Sequence, residues 1–586
     1  MKLNRALLTN IFSLLDKELK FKALILTLLN IISIFFDIIG IGMVIPLAII
    51  LVEEKESLIL ELPFLEGIIT NYEKNEILLI AITIFLIFYL IKSLFLTFLT
   101  WYDKKFVHYS QVNYGEKLLL KYLSEDYIKF LKYNSSDLIR NVILESGIFV
   151  SAVIHNIINL FVEIILIIGI SSLLIYFEPV GSIVSMLVIF VISIFYILFF
   201  KKKLVDLGRK RQSIDGKLIK SLNQAFTLFK EVRLFDKSNY LVKKFKQFSL
   251  EKAKISIFEQ LVSSLPRVYF EFLALFILTI IIYSFVLYKD DTSGLVPILS
   301  FYAAAMFRVI PSANKIIASI NSLNHNLPAF EIIFKDLVQA NKLITNKKKY
   351  IKFENFIKKE FKIHNIKIKD LSFSFKKEEK SLNVLKNINL EIYSGQITGL
   401  IGRTGSGKST LANIISGLIT DFEGQIKIND NGKFNQKILQ KITGHVSQHV
   451  NLIDDTIINN ICFGIEKDQI DVEKVNDIIK KLNLENLVNS LPKKFDSNIG
   501  EQGLQFSGGQ RQKISLARTL YLNPKIIIFD ESTSSLDRKS EIEFMEVIHS
   551  IKKDKVILFI SHNKLLEESF DIIYKIENNQ IIRTKS

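Results

Sequence analysis

The chain has 586 residues, of which 49% are hydrophobic and 23% charged, with a net charge of +16 at pH 7 and a pI near 9.3. That length exceeds one ordinary domain, and that apolarity excludes an ordinary soluble protein. The single cysteine, Cys462, excludes an intrachain disulfide and suits a small packing residue in a reducing compartment.

The opening MKLNRALLTNIFSLLDKELKFK has no apolar core followed by a small-residue cleavage site, so it reads as an uncleaved amphipathic lead-in. Six apolar blocks follow, at 22–52, 76–101, 148–177, 181–200, 258–288 and 295–322. They match the roughly 20 residues that a membrane-spanning helix needs, several exceeding it. A YFEPVG turn at 176–181 predicts a hairpin between the third and fourth.

The connection after the second block carries Lys104, Lys105, Lys117, Lys121, Lys129, Lys132 and Arg140, and the one after the fourth opens KKKLVDLGRKRQ. Segment 53–75 and the last turn, YKDDTSG, are mostly acidic. This asymmetry predicts cytoplasmic basic connections and cytoplasmic termini, and it ascribes the basic excess to topology rather than to nucleic acid. Helical periodicity in YGEKLLLKYLSEDYIKFLKY predicts helices that project below the membrane. Residues 1–324 are therefore expected to form an all-α six-helix transmembrane domain, 325–362 a charged linker, and 363–586 an α/β P-loop NTPase domain.

Charges in hydrocarbon are costly, so the ionisable residues inside the blocks are candidates for function. They are Asp37, Lys92, His155, Glu163, Arg267, Glu271 and Arg308. Lys92, Arg267 and Arg308 fall at comparable depth, which suggests a cavity for an anionic head group such as a phosphate or diphosphate. Bland alternatives stand beside this. Arg267 and Glu271 are four apart and pair on one helix face, and Lys92 snorkels or lies below the bilayer. Asp37, Glu163 and His155 read as interhelical contacts. Arg308 has no carboxylate within a turn or two along its own segment, and Pro311 predicts a kink beside it.

In the C-terminal part ITGLIGRTGSGKSTLANIISGL places a glycine-rich turn between a strand and a helix. Gly402, Gly407, Lys408 and Ser409 satisfy the phosphate-loop pattern, in which backbone N–H groups and a helix N-terminus converge on phosphate oxygens. The candidate nucleotide cradle is thus Gly402, Arg403, Thr404, Gly405, Ser406, Gly407, Lys408, Ser409 and Thr410. Lys408 would reach the β/γ-phosphates and Ser409 would coordinate Mg²⁺. A buried strand in KIIIFDES delivers Asp530 to the metal, and Glu531 suits a base that polarises the attacking water.

With QFSGGQRQK at 505–513, the chain resembles the ABC transporters, specifically bacterial half-transporters of the exporter type, over its whole length. Phe375 matches the aromatic that stacks on adenine and Gln448 the Q-loop. Gly500, Glu501, Gln502 and Gly503 resemble the exporter segment before the signature, which is Ser507, Gly508, Gly509 and Gln510. Ser534 to Asp537 match the D-loop and His562 the switch histidine. Phe506 stands where the family usually has Leu, a packing position. The resemblance implies ATP and Mg²⁺ as cofactors, with Ser409, Gln448 and Asp530 at the metal and Glu531, His562 and Gln448 in catalysis. It also implies a homodimer, with ATP held between one copy's phosphate loop and the other's Ser507 and Gly509. Coupling helices are expected near 131–141 and 222–235.

Within that family, SSLPRVYFEF, MFRVIPSANKIIASINSL and YLIKSLF resemble the lipid-linked-oligosaccharide flippases of bacterial protein N-glycosylation. Arg267 and Arg308 fall on basic positions that hold the substrate's diphosphate there, and Lys92 replaces an arginine. The resemblance implies flipping of a polyprenyl-diphosphate-linked oligosaccharide from the cytoplasmic to the periplasmic leaflet of the inner membrane, and it matches segment 53–75 to a short external helix against the polyprenyl tail. The rivals are an ABC exporter of a peptide, another lipid or a drug, an ABC regulator without transport, and a soluble ABC ATPase on nucleic acid, which the six apolar blocks oppose.

Overall fold

The computed structural model describes residues 14–52, 72–177, 179–288, 295–357, 362–377, 380–429, 431–433, 436–500, 503, 505–534 and 536–585. The expectations for the external segment before residue 72, the last external turn, Glu501, Gln502 and Ser535 lie outside the described residues. The chain divides into two units, Met1–Glu125 with Leu131–Lys348, and Asp126–Phe130 with Lys349–Ser586.

The first unit is helical: α1 (Lys17–Gly42), α2 (Val44–Val52), α3 (Lys74–Leu123), then, beyond α4 (Tyr127–Phe130), α5 (Ser135–Arg140), α6 (His155–Phe177), α7 (Pro179–Thr227), α8 (Ser238–Tyr288) and α9 (Leu295–Ile357). Without water to bond the backbone, uninterrupted apolar runs satisfy their N–H and C=O groups as helices. Among the described residues five helical stretches are long and apolar enough to cross a membrane, and the sixth apolar block lies in α9. The 50 residues of α3 span about 75 Å at 1.5 Å per residue, far more than a ~30 Å hydrocarbon layer.

Three outcomes correct the expectations. Residues 325–362 are no simple linker: α9 continues to Ile357, and Phe330, Ile333 and Leu337 are buried in the unit's core. Irregular backbone that the sequence did not announce lies before α6, where Asn141–Glu145 and Phe149–Ile154 are π-helical, while Pro311 sits inside α9. Finally, the segment that groups with the nucleotide unit is α4, whose Tyr127 and Ile128 pack on that unit's core, just before the expected 131–141. In the stretch 222–235, Phe226, Phe229, Leu234 and Phe235 are exposed.

Several basic residues read as topology signals are buried and paired. Lys121 Nζ reaches Asp336 Oδ1 at 3.1 Å, and Arg211 bonds Glu145 at 3.0 Å and Asp215 at 3.3 Å. The Lys121–Asp336 and Arg211–Glu145 pairs join separate helical segments, while Arg211–Asp215 lies within α7. Gly208 lets α7 and α9 meet, since a Cβ there would lie 1.8 Å from the carbonyl oxygen of His325.

The second unit holds β1 (Asn365–Lys377), β2 (Lys380–Tyr393), β3 (Ile397–Gly402), α10 (Lys408–Ile415), β4 (Glu423–Ile428), β5 (Asn431–Lys433), β6 (Thr443–Val446), α11 (Gly508–Tyr521), β7 (Ile526–Asp530), α12 (Arg538–Ile551), β8 (Val556–Ile560), β9 (Ile572–Glu577) and β10 (Gln580–Lys585). An antiparallel sheet runs β2-β1-β4-β5. A second sheet runs β10-β9-β3-β8-β7-β6, parallel except at β10. The continuous apolar runs of β7 and β8 are buried, as parallel strands covered on both faces must be. The carboxyl ends of β3 and β7 therefore deliver the phosphate loop and Asp530 to one edge. A helical insertion between β6 and β7 carries Ile457–Ile461 and Val472–Lys481.

Candidate functional site

The glycine-rich loop leaves β3 at Gly402 and enters α10 at Lys408. Gly407 caps the helix at φ 99°, and a Cβ there would press within 2.9 Å of Leu385. Only glycine holds that left-handed turn without strain. Arg403, Thr404, Gly405 and Ser409 are exposed on the loop, with Ser406 and Thr410 half-buried. Lys408 is buried, and its ammonium donates to the carbonyls of Gly402 at 2.9 Å and Arg403 at 3.1 Å. The buried Ser406 Oγ has no hydrogen-bond partner among the described residues.

Ser409 Oγ donates to Asp530 Oδ1 at 3.2 Å, so the two groups expected at the metal are adjacent. Burial pushes the Asp530 carboxyl above its ordinary value, partly offset by the Ser409 bond. A hydroxyl beside a desolvated carboxylate, at a helix N-terminus with a buried ammonium, fits a nucleotide with Mg²⁺. When bound, the cation neutralises charge on the β- and γ-phosphates.

Glu531 sits one residue past β7 at φ 49°, a left-handed backbone that costs a non-glycine residue of order 1–3 kcal/mol. Its N–H bonds Ile560 O at 3.1 Å, which fixes the kink to β8. The Glu531 carboxylate lies 3.7 Å from His562 Nδ1. His562 is in turn held by its neighbour: Asn563 donates to the buried Glu541 at 3.1 and 3.3 Å and caps Leu565 N–H. Gln448 is held from behind, its carbonyl accepting from buried Gln512 at 3.1 Å.

Ser507 caps α11 in a capping box, accepting from Gln510 N–H at 3.2 Å while Gln510 accepts from its N–H at 2.9 Å. Gly508 and Gly509 form the helix's first turn, where free N–H groups and the dipole favour an anion. Phe506 is buried in the core, as its packing position predicts. Phe375 stands near the end of β1, edge-on to Phe373 at 4.9 Å. Asp537 precedes α12, its carboxyl lowered chiefly by the Ser540 hydroxyl.

The membrane unit brings together only part of the predicted basic lining. Lys92 Nζ lies 2.9 Å from Asp37 Oδ1, and Arg308 Nη2 bonds Asp37 Oδ2. Helices α1, α3 and α9 thus meet in one charge cluster beside a cavity of about 410 Å³. Arg267 is not part of it: its guanidinium bonds Glu271 at 2.9 Å on the exposed face of α8. The separate pairs Glu163–Lys315 (2.8 Å) and His155–Asp103 (3.1 Å) are interhelical contacts. Sequence reasoning missed Gln512, Asn563 and above all the place of Asp37, since no local pattern announces a partner 271 residues from Arg308.

Comparison with known proteins fits this geometry. Residues 385–534 match the ABC transporter family model. The ATP-dependent lipid A-core flippase of Francisella tularensis is 30% identical over 403 residues, 66% of this chain and 63% of the relative. That of Idiomarina loihiensis is 35% identical over 218 residues, 36% of each chain. The chain thus spans less than two thirds of the length of these curated relatives. A bacterial Atm1-family ABC exporter with ATP bound shares the fold, with a TM-score of 0.76 at 14% identity over 97% of this chain and 95% of that one. Residues 385–534 thus resemble the ABC transporter family's nucleotide domain, and the chain as a whole shares the exporter fold, one unit of several apolar helices followed by one α/β unit.

Proposed function

We propose that the chain pairs with a second copy and uses ATP hydrolysis to carry a phosphate-bearing, lipid-linked glycan from the cytoplasmic to the periplasmic leaflet of a bacterial inner membrane. The observation that carries this reading is the convergence of Lys92 and Arg308 on one cavity, in a chain whose other unit bears a complete nucleotide motif set. Glu531 polarises the attacking water, His562 and Gln448 complete its surroundings, and Ser507 and Gly509 close on the second copy's nucleotide. Two intramembrane cations suit phosphate oxygens better than a neutral drug or peptide. Arg267 is left out, because it sits with Glu271 on the exposed face of α8 and does not line this cavity.

The cargo favoured by the likeness around Arg308 is a polyprenyl-diphosphate oligosaccharide. The lipid A-core flippases among the relatives favour a second cargo of related chemistry, a phosphorylated glycolipid. The test is transport in proteoliposomes containing a labelled glycan on polyprenyl diphosphate, a lipid A-core glycolipid, or a phosphate-free glycolipid. ATP-dependent flipping of the first is expected to be fastest. Fastest flipping of the second would assign the cargo to the lipid A class, and equal rates for all three would sink the proposal.

A further inference from the structure

The charge cluster contains more than its two cations require. Asp37 is buried, and it gives one carboxylate oxygen to each partner, Oδ1 to Lys92 and Oδ2 to Arg308. That is how a phosphate would bridge the same two groups, one oxygen per cation. Lys92 Nζ also lies over the Tyr89 ring, 4.8 Å from its centroid, a second attraction on the ammonium. Arg308 still has capacity. Its Nε is buried with no hydrogen-bond partner among the described residues, while the side chain is 31% exposed. Phe307, next in the chain, is exposed as well, and both line the cavity.

We propose that Asp37 is a built-in counter-ion that sets the charge threshold of this site, so that head groups with two or more negative charges enter and those with one do not. The inference rests on the cargo reading above and deepens it. Two cations and one carboxylate leave a net charge of +1. A head group with a single phosphodiester gains only that residual charge unless it displaces Asp37, and displacement merely exchanges one monoanion for another. A diphosphate diester, or a glycolipid with two phosphates, brings enough charge to satisfy both cations and the free Nε even as Asp37 is driven off. The threshold has a physical purpose. Phosphatidylglycerol, a bulk anionic phospholipid, carries one phosphodiester charge and vastly outnumbers any glycolipid, so a site of charge +2 would be filled by it. Selectivity comes here from a repulsive element, as it does wherever a rare ligand competes with a common one. Asp37 is thus a specificity-determining residue of the membrane unit.

The test uses the full chain in liposomes of neutral lipid, with three probes: a sugar on polyprenyl diphosphate, the same sugar and tail on a single phosphate, and phosphatidylglycerol. The readout is the concentration that half-maximally stimulates ATP hydrolysis. The wild type is expected to prefer the diphosphate to the monophosphate by about tenfold or more, a free-energy difference of about 1.4 kcal/mol. Asp37→Asn should bring that ratio towards one by gaining response to the monophosphate and to phosphatidylglycerol. Asp37→Glu, which keeps the charge, should preserve it. A folded Asp37→Asn with an unchanged ratio, or one that loses both responses, would overturn the inference. If Asp37→Asn does not fold, the wild type and Asp37→Glu decide, and a wild-type ratio near one overturns it. Equal response to both glycolipids refutes the threshold but leaves the proposed function standing, whereas no response to either overturns the inference together with the polyprenyl-diphosphate cargo.

Discussion

The two charged centres of this molecule are built in opposite ways. In the nucleotide unit the working groups are close in sequence or sit at the carboxyl ends of strands of one parallel sheet, and mostly backbone geometry places them: Gly407 in the left-handed region, Ser409 past the end of β3 and Asp530 at that of β7, Glu531 kinked against Ile560. In the membrane unit Lys92 and Arg308 come from separate helices and are held by the single carboxylate of Asp37. A centre made of main-chain turns keeps its shape when one side chain changes. A centre made of ion pairs away from water changes charge with each substitution, because a buried pair that loses one member leaves the other uncompensated.

The largest expected effect tests the first design. Glu531→Gln should lower the rate of ATP hydrolysis by about 10²–10⁴-fold, the range of a lost general base, while nucleotide binding measured by fluorescence titration persists. Near-normal hydrolysis would remove Glu531 as base. Next in size, Arg308→Ala should reduce cargo-stimulated transport by about tenfold or more, since it leaves Asp37 to Lys92 alone. Lys315→Ala breaks a different intramembrane pair, with Glu163, and should reduce transport much less. Equal losses in the two variants would mean that both pairs only hold helices together.

Asn563→Ala should act through position. It frees the loop that carries His562 and leaves buried Glu541 short of a donor, so kcat should fall by about tenfold with KM for ATP little changed. A rise in KM at constant kcat would place Asn563 in nucleotide binding instead. The smallest effect concerns pH. Burial holds His445 below its ordinary value of 6.5, so below that pH the unfolded chain binds a proton that the folded unit refuses. Its contribution to stability is therefore full above about 6.5 and is lost as pH falls from there towards the lowered folded value. His445→Gln should flatten that part of the denaturation midpoint against pH; an unchanged slope would assign the dependence elsewhere.

These contrasts mirror what was legible in the chain. The phosphate loop, Asp530, Glu531 and the signature were readable because each depends on spacing along a strand–turn–helix, and local geometry is encoded locally. Arg267 and Glu271 were readable as a pair for the same reason, being one helical turn apart. The partner of Arg308 was not, nor was the role of Gln512 behind Gln448 or of Asp336 beneath Lys121, because these contacts join segments tens to hundreds of residues apart. The expected linker failed for a related reason. Its charged tail reads as a boundary, whereas the burial of Phe330, Ile333 and Leu337 depends on the helices that pack on them.

Sequence alone therefore determined the number of apolar blocks, the order of the nucleotide motifs and the α/β character of the C-terminal unit, all products of periodicity, spacing and turn chemistry. Tertiary structure alone decided which intramembrane charges meet. It drew Lys92 and Arg308 onto Asp37 and left Arg267 on an exposed face, because the pairing of ions on different helices depends on how those helices pack, which no stretch of sequence specifies by itself.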